Sequence, residues 1–161
     1  MDAKRHGEEL LGKEAVAADS LLGHRLETLA DAEDAERMLI IYPTSDKLSK
    51  DYRYTVEVVN GKITVVSKNK VGRDRLKTTG LADDLLGKDP QQCEQAEELA
   101  QPVLVLRSVE RKQVLRVYDS SSLLKGTNFL VLRFDERNTC VEVDVVGLSG
   151  SSQEGGIIKG G

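Results

Sequence analysis

Tyr54-Thr-Val-Glu-Val-Val-Asn60-Gly61-Lys-Ile-Thr-Val-Val-Ser67 is the stretch whose reading decides the fold. Asn60-Gly61 suits a two-residue type I′ turn, whose central positions both need positive φ, a conformation Asn and Gly tolerate best. The turn predicts a register: Val59 faces Lys62, Val58 faces Ile63, Val56 faces Val65 and Tyr54 faces Ser67. Side chains alternate along a strand, so Tyr54, Val56, Val58, Ile63 and Val65 share one face. Thr55, Glu57, Lys62 and Thr64 share the other with two valines, the pattern of a sheet wet on one side.

Downstream, Val103–Val109 and Gln113–Asp119 read as two strands with apolar residues on both faces. Phe129–Glu136 and Thr139–Val146 read as a further hairpin. With Arg137-Asn138 as its loop, Leu130, Leu132 and Phe134 oppose Val145, Val143 and Val141, and Arg133 opposes Glu142 on the outer face. The predicted core is Val56, Val58, Ile63, Val65, Leu130, Leu132, Phe134, Val141, Val143 and Val145. Between the strand pairs, Leu81–Leu86 forms a helical turn stopped by Gly87. Asp89-Pro90-Gln91-Gln92 then opens a second short helix with an Asp N-cap, Pro at the first helical position and Gln completing a capping box; it runs to about Ala100.

Upstream, residues 8–37 are rich in Ala, Leu and Glu and read as helix. Leu22, Leu26 and Leu29 follow i, i+4, i+7 spacing and form a stripe. Gly12 and Gly23 interrupt it, so one helix or two with a break near Asp19-Ser20 both fit, Ser20 serving as N-cap of the second. Met38–Tyr42 is a short strand or a buried helix end. The expected fold class is α+β: an antiparallel sheet of about six strands built from three hairpins, an N-terminal amphipathic helical segment (1–37), an α+β domain (38–148) with one or two short middle helices, and a Gly/Ser-rich flexible tail (149–161).

Composition narrows the function. The chain has 161 residues, 39% of them hydrophobic, with no Trp and few aromatics, so its core is aliphatic. A net charge of −4 argues against a general polyanion binder. No run approaches the roughly 18 apolar residues of a membrane helix. Cys93 and Cys140 show no C-x-x-C or metal spacing and read as structural thiols of a reduced, soluble, cytoplasmic protein. His6 and His24 read as surface histidines of helical segments, without nucleophile or carboxylate partners that spacing can place. Gly-rich phosphate loops are missing. No catalytic residue, metal site or cofactor is therefore predicted, and the chain reads as no enzyme. Dispersed strand carboxylates (Asp119, Asp135, Glu142, Asp144) rank last, as outer-face solubilisers.

Two features suggest partners. Leu22, Leu26 and Leu29 with the acids Glu27, Asp31, Glu33, Asp34 and Glu36 suggest a helix that docks on a protein partner or a second copy, which makes a structural or assembly subunit the first expectation. Lys68, Lys70, Arg73, Arg75 and Lys77 place five positive charges within ten residues, with only Asp74 to offset them. They support the alternative, a binding module for a phosphate-bearing ligand such as nucleic acid or a lipid head group.

Overall fold

The computed structural model describes residues 3–44, 52–71, 80–119 and 128–151. Two helices come first, α1 (Ala3–Leu10) and α2 (Ala15–Leu22), then strands β1 (Glu27–Asp31), β2 (Arg37–Pro43), β3 (Tyr52–Val59) and β4 (Lys62–Val71). Helices α3 (Leu81–Leu85) and α4 (Pro90–Ala96) follow, and β5 (Leu104–Ser108), β6 (Val114–Asp119), β7 (Asn128–Phe134) and β8 (Cys140–Ser151) complete the chain. All pairings are antiparallel, and the strands close into an eight-stranded barrel in the order β1-β2-β3-β4-β8-β7-β6-β5. Among the described residues no helix is long and apolar enough to cross a membrane.

The strand pairs expected from the sequence are present, but the sheet has eight strands rather than about six, and the helices are few and short. The main correction lies at the N-terminus. Residues 8–37 do not form a helical segment: Gly12 and Gly23, both at positive φ, end α1 and α2, and the chain then runs as β1. Asp19 and Ser20 lie inside α2, where the Ser20 hydroxyl donates back to the Val16 carbonyl instead of capping. Residues 27–31 become strand because two open edges await them. β1 pairs β2 on one side and β5 on the other, which removes both edges of the sheet.

Register departs from expectation at two bulges. Val59↔Lys62 and Val58↔Ile63 pair as the turn predicts, but a shift then sets Glu57 against Val65 and Val56 against Val66. Val66 therefore joins the outer cluster, and Val65 is buried as well, though outside that cluster. In the last hairpin Leu130↔Val145, Leu132↔Val143 and Arg133↔Glu142 hold, whereas Phe134 pairs Cys140. Val141 is consequently exposed and not part of the core. The cause is a longer loop. Asp135 accepts backbone amides of Arg137 and Thr139, and Asn138 takes φ 61°. In the middle of the chain, the Asp89 capping box forms as read, but α4 ends at Ala96, short of Ala100.

Both faces of the sheet are covered. Leu10, Ala18 and Leu22 of α1 and α2 pack on Ile40, Tyr42, Tyr54, Val56, Val58, Ile63 and Val66 outside the barrel. Leu81, Leu85 and Cys93 of α3 and α4 pack on Tyr118, Leu130, Leu132, Phe134, Cys140, Val143 and Val145, also outside. A third cluster fills part of the lumen: Leu29, Leu39, Leu104, Leu106, Leu115, Val117, Phe129 and Val131. The predicted core residues are mainly the helix-covered exterior, and the face read as wet is the inside of the barrel.

Candidate functional site

Alternation along the strands aims Glu27 and Leu29 of β1, Leu39 and Ile41 of β2, and Arg53 and Thr55 of β3 at one shared space. Ser67 and Asn69 of β4 face it from the same side as β3, and inward residues of β5 to β8 complete its wall. The space is a cavity of about 340 Å³. Its apolar belt comprises Leu26, Leu29, Leu39, Ile41, Leu104, Leu106, Leu115, Val117, Phe129, Val131 and Val146. Elsewhere on β1 to β4, Arg37 bridges Asp31 (3.0 Å) and Glu57 (2.8 Å), and Glu57 also accepts from the Thr64 hydroxyl.

Polar groups occupy two stretches of the wall. On the first, Arg133 of β7 meets Glu27 of β1 in a two-pronged pair, with Nη1 2.7 Å from Oε2 and Nη2 directed at Oε1. Ser108 donates to the same Glu27 carboxylate. Burial alone would raise the Glu27 carboxyl; hydrogen bonds from Arg133 and Ser108, with the charges of Arg133 and Arg111, outweigh it and hold it below its ordinary value. Glu142 Oε2 lies 3.1 Å from Arg133 Nε, an ion-pair distance, although that N–H does not point along a hydrogen-bond direction to it. Arg111, on the β5–β6 turn and half exposed, stands 3.9 Å from Glu27 and 4.0 Å from Glu142. Asp144 lines the cavity one inward position further along β8. On the second stretch, β3 and β4 supply Arg53, Thr55, Ser67 and Asn69; the Thr55 hydroxyl donates to Asn69 Oδ1 at 2.7 Å.

The residues singled out from sequence fall in different places. Leu22 ends α2 and packs on the outer core, Leu26 precedes β1 and borders the cavity half exposed, and Leu29 is buried in the lumen. Asp31 faces Arg37, and Glu33 lies in the exposed β1–β2 turn. These five residues do not share a helix face. Lys68 and Lys70 stand outside β4 over the Tyr52 ring, 4.8 and 5.7 Å from its centroid; Arg73, Arg75 and Lys77 lie outside the described residues. Glu142 and Asp144 face inward rather than serving as outer-face solubilisers. His6 is buried against the edge of Tyr54 (4.9 Å), not on the surface, and His24 is an exposed residue after α2. Cys93 and Cys140, distant in sequence, meet between α4 and β8, where burial pushes the Cys140 thiol up to about 12. Among the described residues no group of three or more His, Cys, Asp or Glu is placed to hold a metal ion.

Ser108, Arg111 and the belt residues Leu39, Leu104, Leu106 and Leu115 were not singled out from the sequence, whereas Glu27, Leu26 and Leu29 were, but as part of a helix that does not form. The available signal was the apolar residues on both faces of β5 and β6, which implies that the inner face also meets a hydrophobic surface. No family model, curated protein or solved structure matches the chain.

Proposed function

We propose that this protein binds one small, largely apolar molecule inside its barrel. The observation that carries the proposal is the cavity. Protein interiors are packed as densely as organic crystals, and apolar volume left open costs stability in proportion to its size. Eight strands enclose just enough room either to be filled by side chains or to hold one small ligand. Here small branched residues such as Val117, Val131 and Val146 leave the space open, and about 340 Å³ falls within the range of small-molecule sites. The buried Glu27–Arg133 pair supports the same reading, because a buried ion pair contributes little net stability compared with apolar residues of equal size.

The test uses N-phenyl-1-naphthylamine, a neutral apolar dye that brightens when desolvated. Saturable one-to-one brightening is expected, and Val131→Trp, which fills the lumen, should abolish it while far-ultraviolet circular dichroism stays unchanged. Absence of binding, or equal binding by V131W, would overturn the proposal.

A second reading draws on the two lysines held side by side over Tyr52. They present adjacent positive charges on the outer face, which supports the phosphate-bearing ligand expected from the basic segment. Retention on heparin that falls with salt and is lost in a Lys68→Glu, Lys70→Glu variant is its expected outcome. The assembly-subunit expectation draws what support it has from Leu11, Val16 and Leu21, which are exposed on the helical pair.

A further inference from the structure

The chain contains one pattern twice. Glu8-Glu9-Leu10-Leu11-Gly12-Lys13-Glu14 reappears, with Asp in place of each Glu, as Asp83-Asp84-Leu85-Leu86-Gly87-Lys88-Asp89. The structure repeats with it: two short helices and four strands, α1-α2-β1-β2-β3-β4, are followed by α3-α4-β5-β6-β7-β8. Local details coincide. Leu10 and Leu85 are buried, Leu11 and Leu86 are exposed, and Gly12 and Gly87 take φ 81° and 86°. The backbone of Gly12 and Lys13 brackets Ile63 as that of Gly87 and Lys88 brackets Cys140. Tyr42 of β2 donates its hydroxyl to Asp19 of α2, and Tyr118 of β6 donates to Glu94 of α4. Even the bulge recurs, between Glu57 and Val58 and between Arg133 and Phe134.

The two seams between these halves have a reciprocal register. Counted from Tyr42 and Tyr118 through the strand pairings, Leu29 answers to Leu106, Ala30 to Arg107 and Asp31 to Ser108. Across β1–β5, Leu29 pairs Ser108, Asp31 pairs Leu106, and Ala30 meets its own counterpart Arg107. In β4–β8, where 69–71 answer to 146–148, Asn69 pairs Leu148, Val71 pairs Val146 and Lys70 meets its counterpart Gly147. Such reciprocity defines an isologous, two-fold contact. Unrelated halves have no reason to obey it at both seams. At each centre a cation faces a small residue, where two identical halves would set like charges against each other.

We infer that the chain is a tandem duplication, two half-barrels joined about a pseudo-two-fold axis, and that both halves build the ligand seat alike. The seat rests on the apolar-ligand reading above and sets the ligand across the axis. Leu29 and Leu106, Leu39 and Leu115, and Ile41 and Val117 are three counterpart pairs, and all six residues line the cavity. Other lining positions differ between the halves: Glu27 answers to Leu104 and Thr55 to Val131. The part of the ligand that crosses the axis is therefore hydrocarbon, since the shared positions offer it no hydrogen-bonding side chain.

Two sets of variants test this. Leu39→Asn and Leu115→Asn each put a near-isosteric amide in the belt, and each should weaken binding of N-phenyl-1-naphthylamine about tenfold, by matching factors. Thermal melts establish that both fold; Ile41→Thr and Val117→Thr, a milder counterpart pair, supply the comparison if they do not. Weakening confined to one half, or absent from both, overturns the shared seat while the dye still binds wild-type protein. For the duplication, Ala30→Arg sets two arginines opposite each other and should lower the melting temperature by a few degrees. The exchange A30R/R107A should restore it, because counterpart positions are interchangeable. An A30R variant as stable as wild type, or an exchange no more stable than A30R, overturns the two-fold equivalence. Failure of the dye to bind the wild-type protein overturns the apolar-ligand reading and the seat with it, and the exchange still decides the duplication.

Discussion

Glu27 and Arg133 show how residue-scale physics is set by a neighbour 106 positions away. Removing one partner leaves the other charged and buried, so Glu27→Leu or Arg133→Leu should each cost about 3 to 5 kcal/mol. The double variant should cost much less than their sum, and urea denaturation of the set checks this. The Glu27 carboxyl is held below its ordinary value, so its contribution is complete above the ordinary carboxylate pKa of about 4.3 and is lost as pH falls through the lowered folded value. Relative to wild type, Glu27→Gln should therefore lose the part of the acid-limb slope that this carboxyl supplies in an acid titration of stability. Cys93 and Cys140 carry a second residue-scale expectation. Both are buried with raised thiol pKa values, so the folded protein should resist a thiol reagent at neutral pH, and both thiols should react once urea unfolds it.

At the scale of elements, the β3–β4 hairpin was legible and its bulge was not. Asn60-Gly61 dictates the turn, and Gly61 sits at φ 79°, so Gly61→Val should cost about 1 to 2 kcal/mol in a chemical denaturation series. Nothing local announces the slip at Glu57/Val58. It satisfies tertiary demands: Glu57 reaches Arg37, and Val66 fills the outer cluster. The two faces of β8 give a sharper comparison. Val143 is buried under α3 and α4, and Val143→Asp should unfold the protein, because an unpaired charge there has neither water nor a partner. Val146 faces the lumen, so Val146→Asp should lower stability less and weaken binding of the apolar dye more. Melting temperatures and dye titrations on the pair separate these effects.

For the whole molecule, closure is the decisive property. Glu27–Asp31 is the strand that joins β2 to β5, so a chain beginning at Ile40 would lack it and expose two bare sheet edges. Such a chain should self-associate, and size-exclusion chromatography with light scattering would show species larger than the monomer. Closure also makes the cavity, since the lumen residues come from all eight strands and no smaller set encloses the space.

Local chemistry in the sequence determined the turn at Asn60-Gly61, the capping box at Asp89, the positions of β3 to β7 and the start of β8, whose end at Ser151 runs into the stretch read as tail and pairs with β4, and the alternation that divides each strand into two faces. Those features depend on contacts a few residues apart, which is why they can be read directly. Tertiary structure alone decided which face looks inward. Alternation separates the faces without saying which becomes the lumen, and here helices cover the more apolar one from outside. It also decided that residues 27–31 are strand, because helix-forming propensities of a few tenths of a kcal/mol per residue yield to hydrogen bonds offered by two open edges. The lumen cavity follows from closure in the same way. Glu27, Arg53, Asn69 and Arg133 have no spacing that links them along the chain, and only the barrel brings them to one cavity.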